Sequence, residues 1–200
     1  MDIDKIKRAK AILQQEADAL LNIPLDERLT EATKAILECK GKVVLSGMGK
    51  AGIVARKIAA TFSSTGTPAM YIHPGEAQHG DLGAIREGDI LFILSNSGKT
   101  REALELVTLA RALIKNGIHI IVMTSHPESE LGKLSDISLS IGNMKEACPL
   151  GMAPTTSTTC MIALGDVLSL LVMEERGFTK ADFAQRHHGG YLGSNLKNTQ

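Results

Sequence analysis

A chain of 200 residues with 22 basic and 22 acidic side chains has no formal net charge, and 44% of its residues are hydrophobic. This length and composition are typical of one soluble globular domain with a single well-filled core. The balanced charge argues against a nucleic-acid-binding protein, which needs a concentrated basic face. The longest apolar stretch, Cys160 to Met173, is too short to span a bilayer, so no membrane partner is expected.

The three cysteines, Cys39, Cys148 and Cys160, are widely spaced and form no CxxC pair. This pattern predicts neither a disulfide framework nor a zinc site, and it favours a reducing compartment. The sequence that follows Met1 has no apolar segment of the kind found in secretory signals. We therefore expect a cytoplasmic protein.

Residues 1–40 predict two helices. Apolar residues follow a helical period up to Leu20, Pro24 interrupts the period, and it resumes from Leu29 to Ile36. Gly41 marks the end of the second helix.

From Lys42 onward, short apolar or β-branched runs alternate with helical stretches. The expected strands are Lys42–Ser46, Ala69–His73, Asp89–Ser95, Ile118–Met123 and, more weakly, Ser135–Ile141. The expected helices between them are Lys50–Ser64, Thr100–Asn116 and a short segment near Glu128–Leu134. Strands that alternate with helices predict right-handed βαβ units, and therefore an α/β fold with a parallel sheet covered on both faces.

Two helical segments have informative apolar patterns. The segment Thr100–Asn116 presents one apolar face, formed by Ala103, Leu106, Val107, Ala110, Leu113 and Ile114. The segment Cys160–Met173 is apolar nearly all round, which predicts a buried helix. Both a central core position and a position partly at a subunit interface fit this pattern.

The first candidate site motif, residues 47–52, follows the first expected strand and fits the pattern GxGxxG. Gly47 and Gly49 would let the backbone approach a bound anion, the following helix N-terminus offers free N–H groups, and Lys50 adds a positive charge. A dinucleotide site and a simple tight turn with a solvated lysine are the alternatives.

The second motif follows the third expected strand and again precedes a helix. Its hydroxyl and amide side chains make a dense set of hydrogen-bonding groups for a phosphate monoester: Ser95, Asn96, Ser97 and Thr100. Ordinary helix capping is the alternative, although capping needs only one such residue. Two anion-binding loops on the first and third strands predict a compact phosphorylated ligand between them.

Three further groups of polar residues accompany these loops. Glu102 lies in the first turn after the second loop and could act as a general base, or could simply interact with the helix dipole. Residues 73–83 combine His79 with glycines and carboxylates, which is typical of an active-site loop. His73 and His79 could ligate a metal, but no third ligand has a spacing that predicts a metal site. Residues 146–159 and 187–190 add a run of threonines and serines and the pair His187–His188.

Together these motifs resemble the sugar isomerase (SIS) domain and, within it, the D-arabinose-5-phosphate isomerase family. The matching segments are GMGKAG, HPGEAQHGDLG, SNSGKT followed by Glu102, EACPLGMAPTTSTT and HHGGYLG, which cover the chain from about Gly41 to Gly193. The resemblance implies a three-layer αβα sandwich with a five-stranded parallel sheet. It also implies a homotetramer with sites between subunits, and chemistry that needs no cofactor.

Carried over motif by motif, the family's catalytic residues fall on Lys50, His79, Glu102 and His187, and its phosphate loop falls on Ser95, Ser97 and Thr100. We expect one SIS domain over residues 1–200. Within it, residues 1–40 are N-terminal helices, 41–175 the α/β core, and 176–200 a C-terminal helix and tail that carries the site histidine.

This chain departs from the family in two ways. Many members continue into a pair of CBS domains, and this chain ends at Gln200, so regulation through such domains is expected to be absent. The family usually has His-Pro-Gly-Gly where this chain has His187-His188-Gly189-Gly190, and His187 is chosen because it precedes the variable position.

The resemblance implies interconversion of D-arabinose 5-phosphate and D-ribulose 5-phosphate through a cis-enediol, which feeds the synthesis of the sugar acid Kdo. Lipopolysaccharide, a capsule and other pathways are all open as the destination of the product. The expected partner is a small sugar phosphate, with neither nucleic acid nor membrane. Two alternatives remain open: an isomerase of another sugar phosphate, and a non-catalytic SIS module that senses a phosphosugar.

Overall fold

A five-stranded parallel sheet forms the middle layer of the fold. The computed structural model describes residues 4–186. The strands are β1 (Val43–Gly47), β2 (Ala69–Ile72), β3 (Ile90–Leu94), β4 (His119–Thr124) and β5 (Ile137–Ser140). They lie in the order β2-β1-β3-β4-β5, and every neighbouring pair is parallel. The predicted five-stranded parallel sheet is confirmed.

Helices cover both faces of this sheet. They are α1 (Lys5–Leu21), α2 (Glu27–Glu38), α3 (Gly49–Ser64), α4 (Pro74–Ala77), α5 (Arg101–Leu113), α6 (Glu130–Leu134), α7 (Thr156–Glu175) and α8 (Lys180–Arg186), with a 3-10 turn at Asp81–Ala84. The first two helices begin at aspartate caps, because the side chains of Asp4 and Asp26 accept hydrogen bonds from backbone N–H groups of the first turn.

Alternate residues along each strand face opposite layers. Leu45, Phe92 and Met123 are fully buried in the core formed with α2, α3 and α7. Val44 and Leu91 lie in a second core formed with α4, α5 and α6. Parallel strands that are covered on both faces are expected to be apolar throughout, as these are. The predicted three-layer αβα sandwich is therefore confirmed.

Helix α7 packs against α2 and α3 and buries Met161, Leu164 and Leu168. Its opposite side is partly exposed at Val167 and Leu170. By length and composition it is the one helix within residues 4–186 that could cross a membrane, but half of its most apolar window is buried within the fold. It is a core helix that keeps a partly exposed apolar side.

The apolar face predicted for α5 is right at five positions and wrong at one. Ala103, Leu106, Val107 and Ala110 are fully buried and Ile114 nearly so, whereas Leu113 is 45% exposed. The helix ends at Leu113 and not at Asn116, because Ile114 adopts an extended backbone that turns the chain away from the helical course. Leu113, the last residue of the helix, lies at the edge of the predicted face and is therefore only partly covered.

A buried carboxylate joins β1 and β3 at their amino-terminal ends. Asp89, directly before β3, accepts hydrogen bonds at Oδ1 from the Lys42 backbone N–H (2.9 Å) and at Oδ2 from Lys42 Nζ (2.7 Å). Its Oδ2 also accepts from the Arg86 backbone N–H at 2.8 Å. The Asp89 side chain is 2% exposed, so both oxygens find their partners within the protein. We call this pair the Lys42–Asp89 clamp.

We expect Asp89→Asn to lower the free energy of unfolding by about 2–3 kcal/mol, because it leaves a half-buried ammonium without its charge partner. Urea denaturation followed by circular dichroism measures this change. Glu38→Gln is the matched control: it removes one member of the exposed Lys34–Glu38 pair, whose charged atoms are 4.0 Å apart. The control should change stability by less than about 0.5 kcal/mol. An equally small effect of Asp89→Asn would contradict a stabilising clamp.

Candidate active site

The pocket of interest lies where the order of the strands reverses. The chain runs from β1 outward to β2, then returns to place β3 on the other side of β1. Loops that leave β1 and β3 therefore diverge, and ligands of open parallel sheets bind in the crevice this produces. A pocket of about 230 Å³ occupies this crevice. It is lined by Met48, Lys50, Ala51, Leu94, Ser95, Asn96, Ser97, Thr100, Pro154, Ser157, Thr158 and Met161.

One wall is the loop between β3 and α5, residues 95–100. Ser95 Oγ accepts a hydrogen bond from the Gly98 backbone N–H (3.1 Å) and shares one with Thr100 Oγ1 (2.9 Å). Ser97 Oγ accepts from the Lys99 backbone N–H at 3.2 Å. Thr100 begins α5 without a side-chain capping bond. The N-terminus of α5 is thus surrounded by hydroxyl groups and is not capped by Thr100, which suits an anion.

Gly98 allows this loop to pack closely against the segment that connects β4 to α6. Its φ of +62° is unfavourable for other residues, and a Cβ atom there would lie 1.8 Å from Ser129 Oγ. At the end of β4, Thr124 Oγ1 and the Ser125 backbone N–H donate to the Asn96 carbonyl oxygen at 3.1 and 3.2 Å. The loop is therefore fixed by packing and by hydrogen bonds from the next strand.

A second wall is the turn between β1 and α3. The Gly47 carbonyl oxygen accepts a hydrogen bond from the Tyr71 hydroxyl at 3.1 Å. A Cβ atom on Gly52 would lie 2.3 Å from the Gly47 carbonyl oxygen, so this glycine of the motif permits close packing of helix and turn. Lys50, exposed in the first turn of α3, supplies the positive charge at the pocket.

The third wall is the start of α7. Glu146 Oε2 accepts hydrogen bonds from the backbone N–H groups of Thr155 (2.8 Å) and Ser157 (3.4 Å), and Glu146 Oε1 accepts from the Ser157 hydroxyl. This carboxylate therefore caps α7 from a position well upstream in the sequence. Ser157, which is 1% exposed, and the partly exposed Thr158 line the pocket just inside the cap.

The structure brings together five of the predicted site residues: Lys50, Ser95, Asn96, Ser97 and Thr100. Gly47 lies beneath them, and Gly49 lines a smaller cavity beside the pocket. Glu102 lies in the first turn of α5 and does not line the pocket; its side chain is 29% exposed and its Oε1 lies 4.0 Å from the Arg101 guanidinium.

Two predicted histidines are not brought to this pocket. His79 lies on the surface after α4, where its backbone N–H donates to the Glu76 carbonyl oxygen, and it does not line the pocket. His187 lies outside the described residues, as does His188. Within residues 4–186, no group of three or more His, Cys, Asp or Glu side chains is placed to hold a metal ion.

Sequence reasoning missed the apolar lining of the pocket. Met48, Leu94 and Met161 carry no chemical signal, and only their position beside the two loops could have suggested them. It also missed the role of Glu146, because a cap supplied from a distant segment has no local sequence pattern.

A parallel αβα sandwich with a lysine-bearing turn and a hydroxyl-rich turn at the reversal of strand order is the arrangement in which open α/β sheets build ligand sites. The family model described as "SIS domain" matches residues 36–171. The chain belongs to the SIS domain family.

The chain is similar to curated and solved proteins over most of its length. It is 49% identical over 196 residues to an arabinose 5-phosphate isomerase, KdsD, of Yersinia pestis, covering 97% of this chain and 59% of that protein. A structure of a Bacteroides fragilis NCTC 9343 protein, described as a candidate phosphosugar isomerase involved in capsule formation, is 50% identical. It has a TM-score of 0.91 and covers 93% of this chain and 98% of its own.

An Escherichia coli CFT073 protein in complex with arabinose 5-phosphate is 39% identical, with a TM-score of 0.87, and the match covers 94% of this chain and 100% of that one. The chain spans about three fifths of the length of the curated relatives it matches.

The cysteines around α7 differ in acidity. Backbone N–H groups of Ala153, Met152 and Leu150 surround the Cys148 thiol and lower its pKa below the ordinary value. Burial raises the pKa of the Cys160 thiol to about 11, and the negative charges of Glu146 and Glu16 add to the rise. Burial likewise raises the pKa of the Cys39 thiol.

At neutral pH we expect iodoacetamide to alkylate Cys148 first, because a lower pKa leaves more of the reactive thiolate at a given pH. The pH at which its labelling rate is half-maximal should lie below that of a free cysteine. A time course with peptide mass spectrometry measures this order, and Cys148→Ser should remove the fast phase. Faster labelling of Cys39 or Cys160 in the folded protein would contradict the prediction.

Proposed function

We propose that this protein is an aldose–ketose isomerase that interconverts D-arabinose 5-phosphate and D-ribulose 5-phosphate. The observation that carries the proposal is the grouping of Lys50 with the hydroxyl-rich loop 95–100 around one small pocket, with Glu102 in the first turn of the helix that follows the loop. The 49% identity to a curated arabinose 5-phosphate isomerase supports the same substrate.

The loop 95–100 and the N-terminus of α5 bind the phosphate group. Ser97 and Asn96 present side-chain donors there, and Lys50 neutralises part of the phosphate charge from the opposite turn. A phosphate held in this way positions the rest of the sugar against the protein before any proton moves.

The reaction moves one proton between C1 and C2 and another between the two oxygens, so it requires a base at carbon and an acid or base at oxygen. Glu102 is the base at carbon in this proposal. His79 and His187 open the sugar ring and carry the oxygen proton in this proposal, because histidine is a common general acid and base in catalysis.

The surface position of His79 fits a site that is completed by a neighbouring chain, as the family resemblance implies. We infer a homotetramer, and its support within the described residues is a set of exposed apolar side chains: Ile6, Leu13, Ile53, Val167 and Leu170. Contiguous exposed apolar patches mark interaction surfaces in general, and the number of subunits in this proposal follows from the family resemblance.

We infer that the protein works in the cytoplasm and that its product enters Kdo synthesis. The three cysteines are free thiols, which fits a reducing compartment. The pathway follows only from the family resemblance.

An assay with purified protein, D-arabinose 5-phosphate and a metal chelator tests the activity by the appearance of D-ribulose 5-phosphate. Turnover supports the proposal. Tight binding of D-arabinose 5-phosphate without turnover would favour a phosphosugar sensor, and turnover of a hexulose or heptose phosphate alone would favour a different isomerase.

We expect Glu102→Gln to lower kcat by roughly 10²–10⁴-fold while ligand affinity changes little, because the amide keeps the shape of the side chain but cannot accept the carbon-bound proton. Steady-state kinetics and calorimetric binding separate the two effects.

Glu105→Gln is the matched control. Glu105 lies one turn further along α5 from the loop 95–100, where it contacts the same Arg101 guanidinium at 3.7 Å. This variant should keep nearly full activity. Retention of most activity by Glu102→Gln would remove Glu102 from its proposed role.

A further inference from the structure

The hydroxyl groups of Ser157 and Thr158, at the start of α7, donate their hydrogen bonds to other groups of the protein. We call these two residues the α7 wall. The Ser157 hydroxyl donates to Glu146 Oε1. The Thr158 hydroxyl donates to the carbonyl oxygens of Thr155 (2.9 Å) and Pro154 (3.2 Å). Since a hydroxyl group has one proton to give, only the lone pairs of Ser157 and Thr158 are left for a ligand.

The opposite wall offers donors. Ser97 Oγ accepts a hydrogen bond from the Lys99 backbone N–H, so its own proton remains available. The Ser125 hydroxyl donates to Asn96 Oδ1 at 2.6 Å, which leaves both N–H groups of the Asn96 amide for a ligand. The Lys50 ammonium adds three more donors, and a phosphate group accepts from all of these.

Glu146 makes the N-terminus of α7 unfavourable for an anion. Glu146 Oε2 occupies the N–H groups of Thr155 and Ser157, which a phosphate would otherwise bind. A carboxylate in this position also repels a phosphate dianion. The Thr155 hydroxyl is buried and has no partner within residues 4–186, but it does not line the pocket.

Contacts on both sides of Glu146 fix its position. The Arg8 guanidinium of α1 donates to the Ala147 carbonyl oxygen at 2.7 Å, and the Gln15 amide donates to the Lys145 carbonyl oxygen at 2.8 Å. The Ala147 backbone N–H donates to Thr156 Oγ1 at 3.1 Å. Because the segment is held at three points, the direction of the Ser157 hydroxyl is a property of the fold.

We propose that Ser157 and Thr158 form a subsite that accepts hydrogen bonds from the non-reacting hydroxyl groups of the sugar, while the phosphate occupies the loop 95–100. The inference rests on the proposed function in taking the ligand to be a sugar phosphate. The α7 wall can only accept hydrogen bonds from a ligand, whereas the loop 95–100 can donate them. The ligand therefore binds in a single orientation along the pocket.

Calorimetric titration with inorganic phosphate and with D-arabinitol 5-phosphate tests this orientation without relying on turnover. The arabinitol compound keeps the sugar hydroxyls but has no carbonyl group to isomerise. We expect Ser157→Ala to weaken arabinitol 5-phosphate binding about tenfold and to leave phosphate binding unchanged. Ser97→Ala, the matched variant on the other wall, should weaken both. Thr158→Val, which keeps the side-chain shape, should behave as Ser157→Ala does.

Fluorine accepts hydrogen bonds weakly and donates none, so it tests the direction of the bond. Of the 3-deoxy-3-fluoro and 4-deoxy-4-fluoro analogues of arabinitol 5-phosphate, at least one should bind the unmodified protein about tenfold more weakly than the parent compound. That difference should disappear in Ser157→Ala or Thr158→Val.

Equal losses of phosphate affinity in Ser157→Ala and Ser97→Ala would overturn the proposal, because they would place the phosphate on the α7 wall. Full arabinitol 5-phosphate affinity in both Ser157→Ala and Thr158→Val would overturn it as well, as would a failure of the unmodified protein to bind that compound. Failure of the proposed isomerase function looks different: the expected binding pattern would be present, and D-arabinose 5-phosphate would not be converted.

Discussion

The Lys42–Asp89 clamp fixes the starts of β1 and β3 relative to each other, and the site at the far ends of these strands depends on it. Asp89 precedes β3 and holds both the backbone and the side chain of Lys42, which precedes β1. From this point the strands pair in register from Val43 opposite Ile90 to Gly47 opposite Leu94. The anion-binding turns that follow therefore start side by side. A slip of one residue would also exchange the two buried faces of a strand.

Much of the fold could be predicted because strands that are covered on both faces must be apolar throughout. Short runs such as Ile90–Leu94 are visible in the sequence for this reason, and their alternation with helices fixes a parallel sheet. Element ends were less predictable. The sequence predicts that α5 continues to Asn116, yet the helix ends at Leu113 and the backbone at Ile114 is already extended. Nothing in the local sequence marks this end.

Part of the candidate site could be predicted from the sequence and part could not. The grouping of Lys50 with Ser95, Ser97 and Thr100 follows from topology alone, because the carboxyl ends of neighbouring parallel strands meet at one edge. The Glu146 cap on α7 depends on tertiary placement, since it joins residues that are distant in sequence. The direction of a hydroxyl proton, as at Ser157, is likewise absent from sequence patterns.

Three helices, α3, α5 and α7, begin at the pocket, and their N-termini differ in how they interact with a negative charge. Thr100 of α5 and Met48 of α3 make no side-chain capping bonds at their helix starts, and the Lys50 ammonium adds charge, so this side favours an anion. At α7 the negative charge of the Glu146 carboxylate opposes that of an incoming anion, and the carboxylate accepts hydrogen bonds from two of the backbone N–H groups at this end. Because the three helix ends are otherwise similar, this single carboxylate makes α3 and α5 the ends that favour an anion.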